Sequence, residues 1–225
     1  MSQFILQTEN LSKSFGKTEV LQNVTLSIKR GEVYGLVGQN GAGKTTLLRL
    51  VNHLMKPTSG RVLLQTDKPY IGYMPQSCRF DDHATVTDTL CFFAKLRKTD
   101  VRDSLSLGEK LKLDKKKKVR YLSPGQQKKL QIMIAMIGEP DLFILDEPTA
   151  GLDPAATHEI KNIILNLHKN GKSILISSHI LQDMDDLCTN IAIMESGRLT
   201  YDQAVILTMI FGTQYTNLFL GFFGG

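Results

Sequence analysis

The segment Gly38-Gln39-Asn40-Gly41-Ala42-Gly43-Lys44-Thr45 is rich in glycine and lies between an apolar run and a helical pattern. It matches G-x-x-x-x-G-K-[ST], in which glycines let the backbone curl so that its N–H groups converge on phosphate oxygens. The preceding run, Val33 to Val37, predicts a buried strand, and Thr45 to Leu54 predicts a helix whose N-terminus favours anions. Lys44 can reach the β- and γ-phosphates of a nucleotide, and the Thr45 hydroxyl can bind Mg²⁺. The segment therefore predicts a nucleoside triphosphate site.

Two adjacent carboxylates follow another apolar run, in Leu142-Phe143-Ile144-Leu145-Asp146-Glu147. The apolar residues predict a buried strand, and ligands of open α/β sheets bind at the carboxyl ends of the strands. Asp146 is therefore expected to support Mg²⁺, and Glu147 could polarise a water that attacks the γ-phosphate. An ordinary strand and turn would explain this segment taken alone. Its pairing with the glycine-rich segment favours the functional interpretation.

A third segment, Leu122-Ser123-Pro124-Gly125-Gln126-Gln127, opens a predicted helix. Ser123 is a good N-cap and Pro124 suits the first helical position, so the segment can be read simply as a helix start. A helix start with a free Ser hydroxyl and a Gly N–H is also a phosphate site. One triphosphate does not need two such sites unless they come from different subunits.

Strand and helix patterns alternate along most of the chain, which favours an α/β fold with a mostly parallel sheet and helices on both faces. Alternating apolar residues at Phe4 to Thr8 and Val20 to Ile28 predict two strands near the N-terminus. Between about Gln76 and Tyr121 the pattern is helical, at Val86 to Lys98 and Leu105 to Leu113. We therefore expect a small α-helical lobe inserted in the chain.

The rest of the chain is assigned in the same way. Strands are predicted at Arg61 to Gln65, Tyr70 to Met74, Asp141 to Leu145, Ser173 to Ser177 and Asn190 to Met194, and helices at Gly125 to Ile137, Ala155 to His168 and Ile180 to Leu187. Residues 1–202 are expected to form a single domain. The remaining residues, 203–225, form an apolar tail of unknown role. A polar segment splits the tail, so we do not expect it to span a membrane, which takes about 20 mostly apolar residues.

Composition narrows the choice of function. The chain has 225 residues and a formal net charge of +5, which fits an anionic ligand or work near a membrane and does not require nucleic acid. Its three cysteines, Cys78, Cys91 and Cys188, lie far apart, so neither a zinc site nor a disulfide framework is expected and a reducing cytosol is favoured. The run Lys115 to Lys118 is best explained as a solvated turn or helix end, with contact to acidic lipid or a partner as the alternative.

From Phe4 to Asp202 the chain resembles the ATP-binding cassette (ABC) ATPases, whose markers occur here in the family's order. The matches are Phe15 in Ser-Phe-Gly, Gly38 to Thr46 as Walker A, Gln76 in Tyr-Met-Pro-Gln as the Q-loop glutamine, Leu122 to Gln126 as the signature motif, Leu142 to Glu147 as Walker B, Ala150 to Asp153 as the D-loop, and His179 in Ser-Ser-His as the switch histidine. The resemblance implies a P-loop NTPase core with an N-terminal antiparallel β subdomain.

The resemblance also implies a role for each matched residue. Those expected to bind ATP are Phe15, which stacks on adenine, and Gly38, Asn40, Gly41, Ala42, Gly43, Lys44, Thr45, Thr46, Ser123, Gly125 and Gln126. Those expected to bind Mg²⁺ are Thr45, Gln76 and Asp146. The expected catalytic residues are Glu147, His179 and Gln76.

The family's assembly is implied as well. ATP is expected to lie between Walker A of one copy and the signature of a second copy, in a head-to-tail dimer. A multi-span membrane permease is the expected partner, with the chain cytoplasmic on the inner face of the membrane and no nucleic acid bound. The short segment between Gly60 and Gln76 and the compact lobe resemble bacterial exporter cassettes of the bacitracin or lantibiotic-immunity kind. The signature departs from the usual Leu-Ser-Gly-Gly-Gln, because Pro124 replaces the first glycine and removes a backbone N–H.

Two other functions stay open at this point. A soluble cassette ATPase that acts on nucleic acid or the ribosome would usually carry two cassettes, a long coiled coil or a zinc-hook insertion, which this chain lacks. A nucleotide-binding regulator that does not hydrolyse ATP would not need Lys44, Asp146, Glu147 and His179 intact. An ATPase assay of the purified chain separates the regulator from the enzyme.

Overall fold

The computed structural model describes residues 3–66, 71–100, 111 and 113–204, and its larger sheet has six strands. They are β3 (Val33–Val37), β5 (Gly72–Met74), β6 (Leu142–Asp146), β7 (Ser173–Ser178), β8 (Asn190–Glu195) and β9 (Arg198–Ala204). Their order across the sheet is β5-β6-β7-β3-β8-β9, and only β8 and β9 are antiparallel. The mostly parallel sheet expected from the sequence is confirmed.

A smaller antiparallel sheet precedes and flanks it. Its strands are β1 (Phe4–Phe15), β2 (Thr18–Lys29) and β4 (Ser59–Leu64), in the order β2-β1-β4, which confirms the predicted N-terminal antiparallel subdomain. Strand β1 is longer than the predicted Phe4 to Thr8. Asn10 has a φ of +47° and the pairing with β2 shifts register between Thr8 and Leu11, which breaks the alternation that the prediction used.

Five α-helices and one short 3₁₀ helix are described. They are α1 (Lys44–Val51), α2 (Val86–Leu96), α3 (Pro124–Met136), α4 (Pro154–Lys169) and α5 (Gln182–Asp185), with the 3₁₀ helix at Val119–Tyr121. Helix α1 ends before the predicted Leu54, because His53 takes a φ of +53°. Helix α5 is a single turn rather than the predicted Ile180 to Leu187. Its two ends are tightened by 3₁₀-type hydrogen bonds, from the Met184 N–H to the Leu181 carbonyl and from the Leu187 N–H to the Met184 carbonyl.

The six-stranded sheet is covered on both faces. On one face, Tyr34 and Leu36 of β3 pack with Leu47 of α1 and with the antiparallel sheet. On the other face, Val33 and Val37 of the same strand pack with α3, α4 and α5. Successive residues of a strand point to opposite faces, so β3 serves both clusters and is buried along its whole length. The glycine-rich segment therefore leaves the sheet from the centre of the fold.

The helical lobe has an apolar cluster of its own. Leu90 of α2 packs with Leu130 and Met133 of α3 in this cluster. Helix α3 also gives Ile132 and Ala135 to the core under the sheet. The lobe core thus extends past the predicted boundary at residue 121, and α3 is the element that joins the lobe to the sheet.

Two predictions fall outside the described residues. They are most of the helix at Leu105 to Leu113 and the part of the tail from residue 205 onward. In the portion that the structure describes, no helix has both the length and the apolar character needed to cross a lipid bilayer. The three cysteines are free thiols, of which Cys78 is exposed and Cys188 is buried.

Candidate active site

The glycine-rich segment forms the loop between β3 and α1. Gly41 and Gly43 have φ values of +87° and +105°, a left-handed backbone that glycine adopts at little cost. At Gly38 space is the constraint, because a Cβ there would overlap the carbonyl oxygen of Met194. The loop curls at the N-terminus of α1, where free N–H groups and the helix dipole favour a phosphate.

Lys44 is buried inside this loop. Its Nζ donates to the carbonyl oxygens of Gly38 at 2.6 Å and Gln39 at 3.1 Å, and it lies 3.4 Å from Glu147 Oε1. A phosphate in the loop would compete with these oxygens for the ammonium group. The lysine is thus held at the place where the sequence pattern requires a cation.

Asp146 ends β6 and is fully buried. Its Oδ1 accepts a hydrogen bond from the Ser177 hydroxyl at 2.6 Å. Ser177 lies on β7 directly beside Asp146 in the strand pairing, and its Oγ also accepts from the Glu147 N–H at 3.0 Å. One buried hydroxyl therefore fixes the carboxylate of Asp146 and the backbone of Glu147 together.

Glu147 is held in an unusual backbone conformation. Its φ is +51°, which is uncommon for a residue with a side chain and clusters at functional sites. Its Oε2 lies 2.7 Å from His179 Nδ1, while its Oε1 faces Lys44. The glutamate is buried and the His179 side chain is 40% exposed. The pair therefore runs from the buried site towards the surface.

Some carboxylate oxygens of the site have no hydrogen-bond partner. These are Asp146 Oδ2 and Glu147 Oε1, of which the second has Lys44 at ion-pair distance. A buried carboxylate oxygen without a partner is a ligand that a hard cation would satisfy. In the described part of the chain, no group of three or more His, Cys, Asp or Glu side chains could hold a metal. A cation here would take further ligands from hydroxyls, water or phosphate, which is how Mg²⁺ is commonly bound.

Neighbouring side chains respond to these carboxylates. Burial, followed by the charge of Asp146, raises the pKa of Tyr73 on β5, while Arg49 opposes the shift. Burial lowers the pKa of Lys128 on α3, while the charges of Asp146 and Glu147 oppose that shift. The acidic pair therefore creates a negative field at the carboxyl end of the sheet.

Phe15 ends β1 and is half exposed. Lys13 Nζ lies 5.1 Å from the centroid of its ring, a cation–π contact. A half-exposed aromatic ring leaves a surface on which a purine base can stack. The contact to adenine stays a prediction.

The predicted signature residues lie at the start of α3, in the helical lobe. The exposed Ser123 accepts from the Gln126 N–H at 3.3 Å, and Gln126 Oε1 accepts from the Ser123 N–H at 3.1 Å, which is a complete capping box. Gln126 Oε1 also accepts from Lys117 Nζ at 2.9 Å. In the lysine run at residues 115–118, Lys115 and Lys116 lie in a turn as predicted. Lys118 instead pairs with Thr85 in an isolated β-bridge, and Lys117 makes a specific contact and is not simply solvated.

Gln76 and α3 are linked by a lysine. Lys128 Nζ donates to the carbonyl oxygen of Gln76 at 3.0 Å and to the carbonyl oxygen of Glu147 at 3.2 Å. The Gln76 residue itself is exposed and lines a cleft between the segment 76–78, α3 and the turn at residues 150–152. Gln76 therefore joins the site through its main chain.

The predicted residues separate into two groups. The first group meets at the carboxyl ends of β3, β6 and β7 and consists of Lys44, Asp146, Glu147 and His179. The loop residues lie beside this group. Asn40 and Gly41 are exposed, Ala42 and Gly43 are buried, and Thr45 and Thr46 are partly buried. Ser123, Gly125 and Gln126 lie at the start of α3, where the side chains of Ser123 and Gln126 form the capping box and Gln126 also contacts Lys117.

Sequence reasoning missed Ser177, Lys117 and Lys128. A signal existed for Ser177, because it ends an apolar strand and precedes the predicted switch histidine. Nothing in the local pattern distinguishes Lys128 from its neighbour Lys129. Their different roles arise only from which side of α3 faces the sheet.

Comparison with known proteins shows the family of the chain. The family model described as ABC transporter matches residues 21–150. The chain is 36% identical over 211 residues to the bacitracin transport ATP-binding protein BcrA of Enterococcus faecalis, covering 88% of this chain and 68% of that protein. It is 33% identical over 222 residues to the lantibiotic transport ATP-binding protein SrtF of Streptococcus pyogenes, covering 93% of this chain and 97% of that protein.

A solved structure gives the same result for the fold. It is cbiO1 from Clostridium perfringens, a part of the ABC transporter complex cbiONQ, with a TM-score of 0.82 and 29% identity over 98% of this chain and 96% of that one. Family model, relatives and fold all point to the ATP-binding cassette of a transporter. The chain belongs to the ABC transporter family, in which it is the ATP-binding and ATP-hydrolysing subunit.

Proposed function

We propose that two copies of this chain bind ATP head to tail, and that hydrolysis between them drives a bacterial exporter. The observation that carries this proposal is the separation of two phosphate-binding elements within one chain. Lys44 and the acidic pair lie at the sheet, whereas Ser123 opens a helix of the lobe with its side chain exposed. A second copy, turned end to end, brings its Ser123 to the phosphate held by the first.

The γ-phosphate supplies the energy for closing such a dimer. It would contact Lys44 of one copy and the N-terminus of α3 of the other, so ATP binds the closed form better than the open form. ADP lacks this bridge, and the dimer opens after hydrolysis. Because Pro124 has no N–H, Ser123 Oγ and the Gly125 N–H remain as donors on the second copy.

Glu147 is the proposed general base. Its carboxylate is held by His179 at 2.7 Å, and both lie next to the loop that would hold the phosphates. The carboxylate takes a proton from water as the water attacks the γ-phosphate, and the bond to the β-phosphate oxygen breaks. His179, partly exposed, is positioned to contact the γ-phosphate and keep the carboxylate oriented.

The site suits Mg²⁺ as the metal of the nucleotide. Asp146 Oδ2, which has no other partner, and the Thr45 hydroxyl are the proposed protein ligands, with the Gln76 side chain as a third ligand or a contact to bound water. When bound, Mg²⁺ neutralises charge on the β- and γ-phosphates. Ser177 keeps the Asp146 carboxylate oriented from the opposite side.

We infer a multi-span membrane permease as the partner, with the chain cytoplasmic and attached to the inner face of the membrane. The kinship with two transport proteins, and with a cassette that is part of a transporter complex, supports this inference. The same kinship favours transport over an action on nucleic acid or the ribosome. We propose export of antibiotics of the bacitracin or lantibiotic kind. If this proposal is right, a cell that lacks the protein is more sensitive to these antibiotics. A lower concentration of bacitracin or of a lantibiotic then stops its growth.

Replacement of the proposed base tests the mechanism. We expect Glu147→Gln to bind MgATP as tightly as the wild type, to lose ATP hydrolysis by about 100-fold or more, and to elute as a dimer in ATP during size-exclusion chromatography. The wild type should run as a monomer in ADP. Hydrolysis by Glu147→Gln at the wild-type rate would remove Glu147 from this role. A Glu147→Gln protein that stays monomeric in saturating ATP would remove the head-to-tail site.

A further inference from the structure

Lys128 occupies an unusual place for a lysine. It lies in the second turn of α3, it is 9% exposed, and its ammonium group points towards the sheet rather than to solvent. Its two hydrogen bonds go to main-chain oxygens of two different loops, those that carry Gln76 and Glu147. A buried ammonium loses its hydration, so these contacts are needed to offset that loss.

The contact to Glu147 completes the restraint of that residue. On one side of the residue, the Glu147 N–H donates to the Ser177 carbonyl at 3.2 Å and to the Ser177 hydroxyl at 3.0 Å. On the other side, the Glu147 carbonyl accepts from Lys128 and, at 3.3 Å, from the Ala150 N–H. The left-handed φ of Glu147 therefore lies between two sets of hydrogen bonds, one from β7 and one from α3 and the turn.

The same lysine connects this restraint to the signature. Ser123 and Lys128 belong to one helix, so a displacement of the start of α3 is carried rigidly to the Lys128 Cα. From there it reaches the Glu147 carbonyl through a single side chain. Among the described contacts, none joins Lys129 to Gln76 or Glu147. Its Nζ pairs with Glu159 on α4 at 2.8 Å and donates to the Leu111 carbonyl at 3.5 Å.

We infer that Lys128 is a positioning residue that ties the signature helix to the Gln76 loop and to the main chain of Glu147, so that docking of a second copy's nucleotide at Ser123 sets the orientation of the catalytic carboxylate. This inference rests on the proposed head-to-tail site. ATP hydrolysis at Glu147 then depends on α3 of the same copy, and this dependence needs no contact between α3 and the phosphate bound to that copy. Burial lowers the pKa of Lys128, and the charges of Asp146 and Glu147 oppose the shift, so the acidic pair favours the charged donor.

The test compares three variants in ATPase assays. Lys128→Met keeps a long side chain but removes the donors, Lys128→Arg restores them, and Lys129→Met is the matched control on the same helix. We expect Lys128→Met to lower kcat by about 10- to 100-fold, the effect of a small misplacement of a reacting group. The dissociation constant for a fluorescent ATP analogue should change by less than about twofold, because Lys44 and the phosphate loop are untouched. Lys128→Arg should recover most of kcat, and Lys129→Met should keep it.

A second readout separates positioning from general damage. Lys128→Met is placed in the Glu147→Gln background, and ATP-dependent dimerisation is measured by size-exclusion chromatography. If Lys128 only positions the Glu147 carboxylate, adding Lys128→Met leaves dimerisation unchanged, because Glu147→Gln has already removed that carboxylate. The inference is overturned if Lys128→Met hydrolyses ATP like the wild type, or if kcat, ATP affinity and dimerisation all fall in parallel. If Lys128→Met does not fold, Lys128→Gln, which keeps a neutral donor, is measured against Lys128→Arg by the same two readouts. Failure of Glu147→Gln alone to dimerise would instead reject the proposed head-to-tail site.

Discussion

At the scale of single residues, Ser177 joins the two acids of the site. Its hydroxyl donates to Asp146 Oδ1 at 2.6 Å and accepts from the Glu147 N–H at 3.0 Å. The side chain is fully buried, so no water replaces either bond if the hydroxyl is removed. The orientation of the proposed metal ligand and the backbone of the proposed base thus depend on one oxygen atom.

Ser177→Ala is expected to damage stability and activity together. It leaves a buried oxygen of Asp146 without a donor, which should lower the free energy of unfolding by about 1 to 3 kcal/mol. Loss of the partner that orients a metal ligand should lower ATPase activity by about tenfold or more. Urea denaturation and a steady-state ATPase assay at saturating Mg²⁺ measure the two effects.

Ser173, at the other end of β7, provides the control. Its hydroxyl accepts from the Gly31 N–H at 2.8 Å and has no described contact with the acidic pair. Ser173→Ala should therefore weaken the fold while leaving the ATPase rate of the folded protein near the wild-type value. Equal activity of the two alanine variants would show that the Ser177 hydroxyl does not orient the site.

At the scale of elements, α3 and α4 meet closely at their N-termini. A Cβ on Gly125 would lie 2.8 Å from the Cβ of Ala156, nearer than real Cβ atoms approach each other. Gly125 is therefore required by packing between two helices as well as by its predicted contact with phosphate. The signature helix is held against the helix that follows the D-loop.

Gly125→Ala should separate these helices and destabilise the fold. Alanine is the better helix former by about 1 kcal/mol, but overpacking by one methyl group costs about 1 to 3 kcal/mol, so the net effect is a loss of stability. Ala156→Gly in the same chain removes the overlap and should recover most of that loss. Denaturant unfolding of the two single variants and the double variant measures the coupling. Additive effects in the double variant would contradict the contact.

Helix starts were the elements best predicted from sequence. Ser123 and Asp153 cap α3 and α4 with their own side chains, so the signal lies within four residues of the boundary. Strand β9 was not predicted as a strand, because its polar residues carry little apolar alternation. It forms by pairing with β8 after the turn at Ser196 and Gly197, whose φ values are +46° and +80°.

At the scale of the whole molecule, one chain carries the two proposed halves of an ATP site in different parts of the fold. The phosphate loop and acidic pair belong to the sheet, and the capping box of α3 belongs to the lobe. A head-to-tail pair of chains would contain two composite sites, each built from the sheet of one copy and the lobe of the other. Each half can then be inactivated separately.

Mixing two inactive variants tests this arrangement. Lys44→Ala should lose phosphate binding at its own loop, and Ser123→Arg should block the start of α3, each lowering ATPase activity by about 100-fold. In an equimolar mixture, random pairing makes half of the dimers mixed, and each has one complete site of two, so about one quarter of wild-type activity should return. Activity is measured on the mixture and on each variant alone. A mixture no more active than its components would mean that both halves of the site come from the same chain.

Residue patterns alone were enough to predict the phosphate loop, the acidic pair after an apolar strand, the capped start of α3 and the mostly parallel sheet. The phosphate loop, the acidic pair and the cap of α3 depend on residues adjacent in the chain, where spacing and residue type settle the local conformation. The parallel sheet was predicted from the order of strand and helix patterns along the chain. The contacts of Ser177, Lys117 and Lys128, and the packing of Gly125 on Ala156, could be read only from the folded chain. Those contacts join residues that lie far apart in the sequence. The separation is 9 positions for Lys117 and Gln126, 31 for Ser177 and Asp146 and for Gly125 and Ala156, and 52 for Lys128 and Gln76. Which side of α3 faces the sheet is set by packing of the whole apolar core, so two adjacent lysines of that helix have different partners.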